Sequence, residues 1–487
     1  MYLNEQLTRI GQSVAGIVPE LFLAIFLLVY LVAELLLNRY ATRDRTGRFL
    51  FIISLAGAVL MLGLVLGQWG EAAAFRFQPL LFLDHKAVFF KLLIVGAWLF
   101  TLVHIRVLRY RFPAEHNALL IAIVLGACLL CMATHWLTVF LTLELISLSS
   151  YLLVALSPRK KAAEGGLKYI LFGAISSAVM VYGISLIYGL TGTLDFTDPG
   201  MGAGLAANVP LVMNVAMFLT LGGLLFKLSL VPFHVWTPDV YEATPTPLIS
   251  FLSVAPKAAV LLVLMRVASI FPGEVLPLLG GIALLSITLG NVAALWQQNA
   301  RRLLAYSSIA QAGYLLVGIV AFNQLGFESA TFYAASYVLL NMAAFFLVDV
   351  LNPRSSTSLT DYAGLGKKYL WASVALTVVM MALAGLPPTV GFTAKWLVFS
   401  ALWESYQAQG QSWILWLLVG GIINAAISLA YYLRIPYLLF FKTHSAIPAS
   451  PVAPIWGKAL AGTLLTAVLL LFFKPEILLD LITILSP

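Results

Sequence analysis

Apolar residues in this chain fall into successive blocks of roughly 20, each long enough to cross a ~30 Å hydrocarbon core as an α-helix. Nothing constrains the fold more. Lipid offers the backbone no hydrogen-bond partner, so only helices and closed barrels survive in it. Barrel strands read as short alternating segments, and these blocks do not alternate. Of 487 residues, 61% are hydrophobic and 10% charged, with a mean hydropathy of +0.98, whereas soluble proteins carry about 25% charged residues. The chain reads as all-α, a polytopic membrane protein with about 14 transmembrane helices near 16–37, 49–67, 87–107, 117–134, 136–156, 168–190, 210–235, 245–270, 276–296, 302–322, 327–350, 371–405, 412–440 and 457–481. The first block, Val18 to Leu37, is too long for a signal-peptide core and lacks a small-residue cleavage site, so it reads as a retained helix.

Basic residues sort by loop. Arg39, Arg43, Arg45 and Arg48 follow helix 1; Arg106, Arg109 and Arg111 end helix 3; Arg159, Lys160 and Lys161 end helix 5. Arg301 and Arg302, then Arg354, Lys367 and Lys368, then Lys442 and Lys458 continue the same side. The other side holds only Arg9, Arg76, Lys86, Arg266 and Lys474. The positive-inside rule then puts both termini outside. The net charge of +8 lies in these loops rather than on a soluble basic face, which argues against nucleic acid as a partner.

Six basic residues fall inside or near spans: Lys91, Lys168, Lys227, Lys257, Lys395 and Arg434. A lysine at mid-membrane costs ~2.5–3.5 kcal/mol on insertion scales, which makes it a functional candidate. Lys91 and Arg434 lie close enough to helix ends to snorkel, so anchoring is expected of them. Lys227 is different: it ends an apolar run opened by Leu211, and Pro232 follows. Proline frees a helix carbonyl that lipid cannot satisfy, so this segment must face protein or water. Helix 12 repeats the pattern with Gly385-Leu386-Pro387-Pro388, then Gly391-Phe392 and Lys395. Broken helices 7 and 12 stand five apart, an odd number, so helices 4–8 and 9–13 are expected to form two inverted repeats, the build of transporters that hold ions near the midplane. The expected divisions are 1–115, a three-helix segment; 116–272, the first repeat; 273–442, the second; and 443–487, the last helix.

The titratable groups that carry this chemistry are Glu144, Lys168, Lys227, Lys257 and Lys395. Burial favours the neutral amine and a nearby carboxylate the ammonium. One ion pair at ~4 Å and an effective dielectric of 20 is worth about 4 kcal/mol, so moving the partner loads or unloads a proton near neutral pH. Structural ion pairing is the competing reading. It weakens where each of three lysines stands near a proline, as Lys227, Lys257 (after Pro256) and Lys395 do, and is strongest for Lys168, near the inner end of helix 6. His234 is a possible relay, its ordinary pKa being near neutral, or simply a hydrogen-bonded histidine beside the break. Tyr306, Ser307, Ser308 and Gln311 either hold water or join helices. Asp239 and Glu242 read as solvated loop residues or caps of helix 8.

Two cysteines exclude a disulfide framework. Cys128, Cys131 and His135 can share a helical face, but a fourth metal ligand is lacking and packing is the expected role. No dinucleotide fingerprint, phosphate loop or four-cysteine cluster motif is present, so electrons, if any, belong to another chain.

The run Phe226-Lys227-Leu-Ser-Leu-Val-Pro232-Phe-His234-Val-Trp236-Thr-Pro238-Asp239-Val-Tyr241-Glu242 resembles the helix 7–8 motif of the subunit N family of bacterial NADH:quinone oxidoreductase, respiratory complex I. Glu144-Leu-Ile-Ser-Leu, Lys168-Tyr, Pro256-Lys257, Arg301-Arg302-Leu-Leu-Ala-Tyr306-Ser-Ser and Gly385-Leu-Pro-Pro follow that family in order, with helices 1–3 the least distinctive. Ala243-Thr244 departs from its more usual Gly-Ala. The resemblance implies an antiporter-like membrane-arm subunit that moves protons while quinone is reduced elsewhere. It implies Glu144, Lys227, Lys257 and Lys395 as the path and Lys168 as an accessory charge. It also implies no cofactor in this chain, with FMN, iron–sulfur clusters and quinone in partner subunits. The chain ends soon after helix 14 without a long lateral helix, which favours subunit N over subunit L of the same complex. The competing functions are a subunit of a multisubunit sodium/proton antiporter and a non-conducting spacer.

Overall fold

The computed structural model describes residues 2–40, 43–157, 161–271, 273–351, 358–442 and 455–485. Arg159, Lys160 and Arg354 of the basic loops lie outside the described residues. Among those described, 13 helices are long and apolar enough to cross a membrane. The remaining crossing, helix 12, is divided into Leu370–Ala384 and Val390–Gln409. Helices 8 and 10 are the hub, each with 94% of its apolar window buried, against 22% for helices 1 and 14 at the rim. A helix apolar all round must be enclosed by other helices or lipid, and these two are enclosed by protein. Small residues bring helices close. A Cβ at Gly183 of helix 6 would stand 2.2 Å from the Thr220 backbone nitrogen of helix 7.

Loop contacts sort onto two ends. At the basic end, Lys161 meets Glu242 at 2.9 Å and Arg302 meets Asp239 at 2.7 Å. There also Asn299 bridges Ser358, and Gly364 donates to the Leu438 carbonyl at 3.1 Å. At the opposite end a hairpin, Ala74–Arg76 with Leu81–Leu83, bridges Ala133, and His135 bridges Asp195. Arg266 closes that end on Asp84 at 2.7 Å. Successive loops therefore alternate sides, as the charge pattern requires.

Helices 7 and 12 break by one backbone device. Helix 7 (Pro210–Leu228) ends at Ser229 with φ +64, and helix 12 pauses at Gly385 with φ +87. In each, the next residue bonds back five positions, Leu230 to the Leu225 carbonyl and Leu386 to that of Met381, both at 3.0 Å. A proline follows three residues after the left-handed position in both, Pro232 and Pro388, each after a cis peptide bond. Helix 7 thus stops short of the expected residue 235, and a short helix, Thr237–Ala243, follows. A third interruption was not expected: helix 8 is split into Thr246–Leu252 and Ala255–Val267. Pro256 has no N–H for the Leu252 carbonyl, so the ladder fails there.

Three sequence expectations are corrected. Lys91 does not snorkel: it is fully buried and pairs with buried Glu20 at 2.6 Å, because helix 3 is enclosed and Lys91 has no route to headgroups. Arg301 is not a loop charge but 2% exposed. Asp239 and Glu242 neither cap helix 8 nor stand free; both are ion-paired.

Candidate functional site

Three lysines stand inside the bundle, and the break nearest each explains how it is held. Lys227 is 3% exposed, one residue before the end of helix 7. Its Nζ donates to Ser147 Oγ at 3.2 Å and Tyr169 Oη at 3.4 Å, and lies 5.4 Å from the Tyr169 ring centroid. Trp236, beyond the break, stacks on Tyr169 at 4.1 Å and so covers the site. Glu144 stands one helical turn before Ser147 on helix 5. It accepts a hydrogen bond from Ser177 and faces a groove of about 590 Å³ that Phe140, Ala174, Val181 and Tyr182 also line. Among the described residues no carboxylate lies within ion-pair distance of Lys227.

Lys257 follows the break in helix 8 and is 2% exposed. It donates to Ser308 of helix 10, at 2.7 Å to Oγ and 3.3 Å to the carbonyl. Ser308 Oγ also meets Tyr337 Oη at 2.8 Å and Tyr241 Oη at 3.2 Å. The helix 10 polar residues therefore do more than join helices: Ser308 is a branch point.

Lys395 reaches back to the break in helix 12. Its Nζ donates to the Ala384 carbonyl at 2.7 Å and that of Leu383 at 3.3 Å. Those carbonyls would accept from residues 388 and 387 in a continuous helix, and both are prolines without an N–H. Gln311 donates to the Leu383 carbonyl at 2.9 Å, and the Tyr314 ring centroid lies 4.9 Å from the Lys395 amine. A cavity of about 10 Å³, about the smallest that holds one water, is lined by Lys395, Gln311, Tyr333 and Tyr337. Since Tyr337 touches Ser308, the Lys257 and Lys395 sites adjoin through it.

The other two candidates stand apart. Lys168 is at the basic end, 2.9 Å from Asp239 and 2.8 Å from Glu164. Arg302 holds Asp239 at 2.7 Å and Glu242 at 3.0 Å. Burial works against both carboxylates, but hydrogen bonds from Lys168 and Arg302 to Asp239, and from Lys161 and Arg302 to Glu242, outweigh it and hold both carboxyls below their ordinary values. His234 lies against the Pro232 carbonyl. No hydrogen bond among the described residues joins it to a lysine. Arg434 binds the Gln297 carbonyl at 2.9 Å, closing the end of helix 9. His135 caps helix 5 by accepting from the Leu137 N–H at 3.2 Å, and Cys128 and Cys131 are buried free thiols.

The family model described as NADH:quinone oxidoreductase/Mrp antiporter, TM matches residues 133–428, the part that carries every one of these lysines. The NADH-quinone oxidoreductase subunit N of Chlorobium chlorochromatii (strain CaD3) is 37% identical, over 95% of this chain and 93% of its own length. The subunit N of Anaeromyxobacter sp. (strain Fw109-5) is 38% identical over 89% of each. The chain belongs to the subunit N family of NADH-quinone oxidoreductases. A chain in the structure of respiratory complex I from Thermus thermophilus with bound aureothin superposes with a TM-score of 0.79 at 33% identity, over 95% of this chain and 98% of that one. A chain of the Mrp complex from Dietzia sp. DQ12-45-1b matches at 0.80 with 21% identity, a likeness of fold alone. In this family member, sequence reasoning missed Tyr169, Tyr241, Tyr333 and Tyr337. Tyrosines are ordinary packing residues, and only the cationic or hydroxyl partner that the fold supplies distinguishes these four.

Proposed function

We propose that this chain is a proton-translocating, antiporter-like membrane-arm subunit of an NADH:quinone oxidoreductase, with Glu144, Lys227, Lys257 and Lys395 as its proton path and Lys168 as an accessory charge. The observation that carries this reading is the run of buried lysines set at helix breaks, each on hydroxyl or carbonyl partners, with Lys257 and Lys395 joined through Ser308 and Tyr337. Lys257, Ser308 and Tyr337 lead to the cavity beside Lys395, while Tyr169 and Ser147 bind Lys227 next to Glu144. Hydroxyl groups both accept and donate, so a proton passes along them with no net change in any one. Residues 116–272 and 273–442 form the two inverted halves in this reading, helix 7 and helix 12 being the matched broken helices and the split of helix 8 an addition in the first half.

The neighbours are other membrane-arm subunits. FMN, iron–sulfur clusters and quinone reside in partner chains, and the complex lies in the bacterial inner membrane with both termini of this chain on the outer side. His234 has no assigned step. A multisubunit sodium/proton antiporter is the other reading, and it rests on the shared family description and a likeness of fold at 21% identity. Co-extraction of iron–sulfur subunits rather than antiporter subunits in mild detergent separates the two.

The test is Lys227→Ala in a complex shown to assemble. Protons moved per electron should fall sharply while electron transfer components remain bound. Normal pumping would remove Lys227 from the path.

A further inference from the structure

Far from the lysines along the chain, a second set of titratable side chains is buried at the basic end. His104, near the end of helix 3, is fully buried, and its Nε2 lies 3.2 Å from Asp349 Oδ2 near the end of helix 11. Tyr110, just past helix 3, donates to both Asp349 oxygens at 2.8 Å. Arg301 of helix 10, itself 2% exposed, lies within electrostatic reach of Asp349, Tyr110 and Tyr362. Asp349 is 1% exposed. Nothing in the proposed path uses this group, and a buried ionic cluster is poor evidence for stability alone.

The cluster is also connected. Thr246, which neighbours Tyr110, opens helix 8. Ser250 follows on the same segment, its hydroxyl donating to the Pro247 carbonyl at 2.8 Å; Ser253 stands in the break and donates to the Ser250 carbonyl at 2.7 Å, and Lys257 comes just past the break. Facing them on helix 11 are Asn341 and Tyr337. Asn341 donates to Ser253 Oγ at 2.6 Å, and Tyr337 donates to Ser308, the partner of Lys257. Tyr241 neighbours Ser253 and meets Ser308. Along this line His104 Nδ1, Asn341 Oδ1 and two Arg301 nitrogens are buried with no hydrogen-bond partner among the described residues. Buried polar groups are costly unless water serves them.

We infer that His104 and Asp349 form a proton-loading pair at the basic end, which passes protons to Lys257 along the polar residues of helix 8. His104 takes a proton from water on that side and becomes an imidazolium balanced by Asp349, with Arg301, Tyr110 and Tyr362 the other charged or titratable groups facing it. The proton leaves for the Thr246 hydroxyl. Each hydroxyl or water accepts one proton and gives one up, and the Lys257 amine ends as the ammonium while His104 returns to neutral.

The inference rests on the functional reading above, and one set of reconstituted whole complexes tests both. Proton uptake from the basic-end side is measured against the pH of that side, with quinone reduction monitored in parallel. His104→Gln should keep quinone reduction, lose most of the uptake and lose the histidine-range limb of the pH profile, whereas Asp349→Glu should keep that limb. Thr246→Val, nearly isosteric, should slow uptake without moving the limb. It covers the case in which His104→Gln fails to assemble. Unchanged uptake and pH profile in assembled His104→Gln, or unchanged uptake in Thr246→Val, overturns the inference while Lys227→Ala still abolishes pumping. Normal pumping in Lys227→Ala overturns the functional reading itself.

Discussion

The breaks in helices 7 and 12 share a backbone and differ in what they do with a lysine. At the first, Lys227 precedes the left-handed residue and is bound by hydroxyls and rings, with Glu144 one turn from its partner Ser147 and out of ion-pair reach. At the second, Lys395 follows the break and holds the carbonyls that the prolines orphan. Fixed carbonyl dipoles favour the ammonium permanently, whereas a carboxylate at a distance favours it only while that carboxylate is ionised. One device thus serves two electrostatic ends. In the proposed path Lys227 sits beside Glu144 without pairing with it, while Lys395 also holds the fold at its break.

The comparison breaks most visibly on removing each amine. Lys395→Met leaves the Ala384 carbonyl buried without its donor, a loss of ~1–3 kcal/mol for an unsatisfied group. Lys227→Met frees only hydroxyls that can pair among themselves. Thermal unfolding of the assembled complexes should therefore show the Lys395 variant clearly weaker and the Lys227 variant near the parent, with pumping lost in both. Equal stability would mean that the carbonyls at the second break find other donors.

A smaller effect follows from the left-handed residues. A Cβ at Gly385 would stand 2.7 Å from Lys395 Cδ, and a non-glycine residue at φ +87 costs ~1–2 kcal/mol. Gly385→Ala should lower stability by at least that and displace Lys395 from its carbonyls, with reduced pumping. Ser229 already bears the conformational cost at φ +64, and its buried hydroxyl lacks a partner. Ser229→Gly should be neutral or stabilising by up to about 1 kcal/mol. Denaturant titration checks both, and a stabilised Gly385→Ala would refute the account of that break.

The smallest effect is acid sensitivity at the basic end beside the first break. Asp239 and Glu242 are held below their ordinary values of 3.8 and 4.5. A depressed carboxylate contributes its full stabilisation above the unfolded value and loses it as pH falls through the folded one. The complex should therefore lose stability only below those ordinary values, and Asp239→Asn should flatten that acid limb in melts recorded from neutral pH downward. An unaltered limb would place the acid-sensitive carboxyls elsewhere.

How much of this was legible in sequence follows from how local each constraint is. A crossing helix must satisfy its backbone within itself, so block length finds the crossings and proline finds the breaks near Lys227 and Lys395. The interruption of helix 8 could have been read from Pro256 in the same way. The direction in which a lysine reaches could not, because Ser147 and Tyr169 lie 80 and 58 residues from Lys227. Lys91 shows the same limit. Near a helix end it looks like an anchor, and only the placement of Glu20 against helix 3 makes it a buried pair.

By itself, then, the sequence determined the membrane class, the alternating ends, the two main breaks and the lysines beside them, since each is set within one segment and its solvent. Only the tertiary structure decided the partners. His104 and Asp349, 245 residues apart, meet because helices 3 and 11 pack. Lys257 joins Lys395 through Ser308 and Tyr337 because helices 10 and 11 flank both. Hydrogen bonds reach about 3 Å, and which groups come that close depends on the packing of every helix at once.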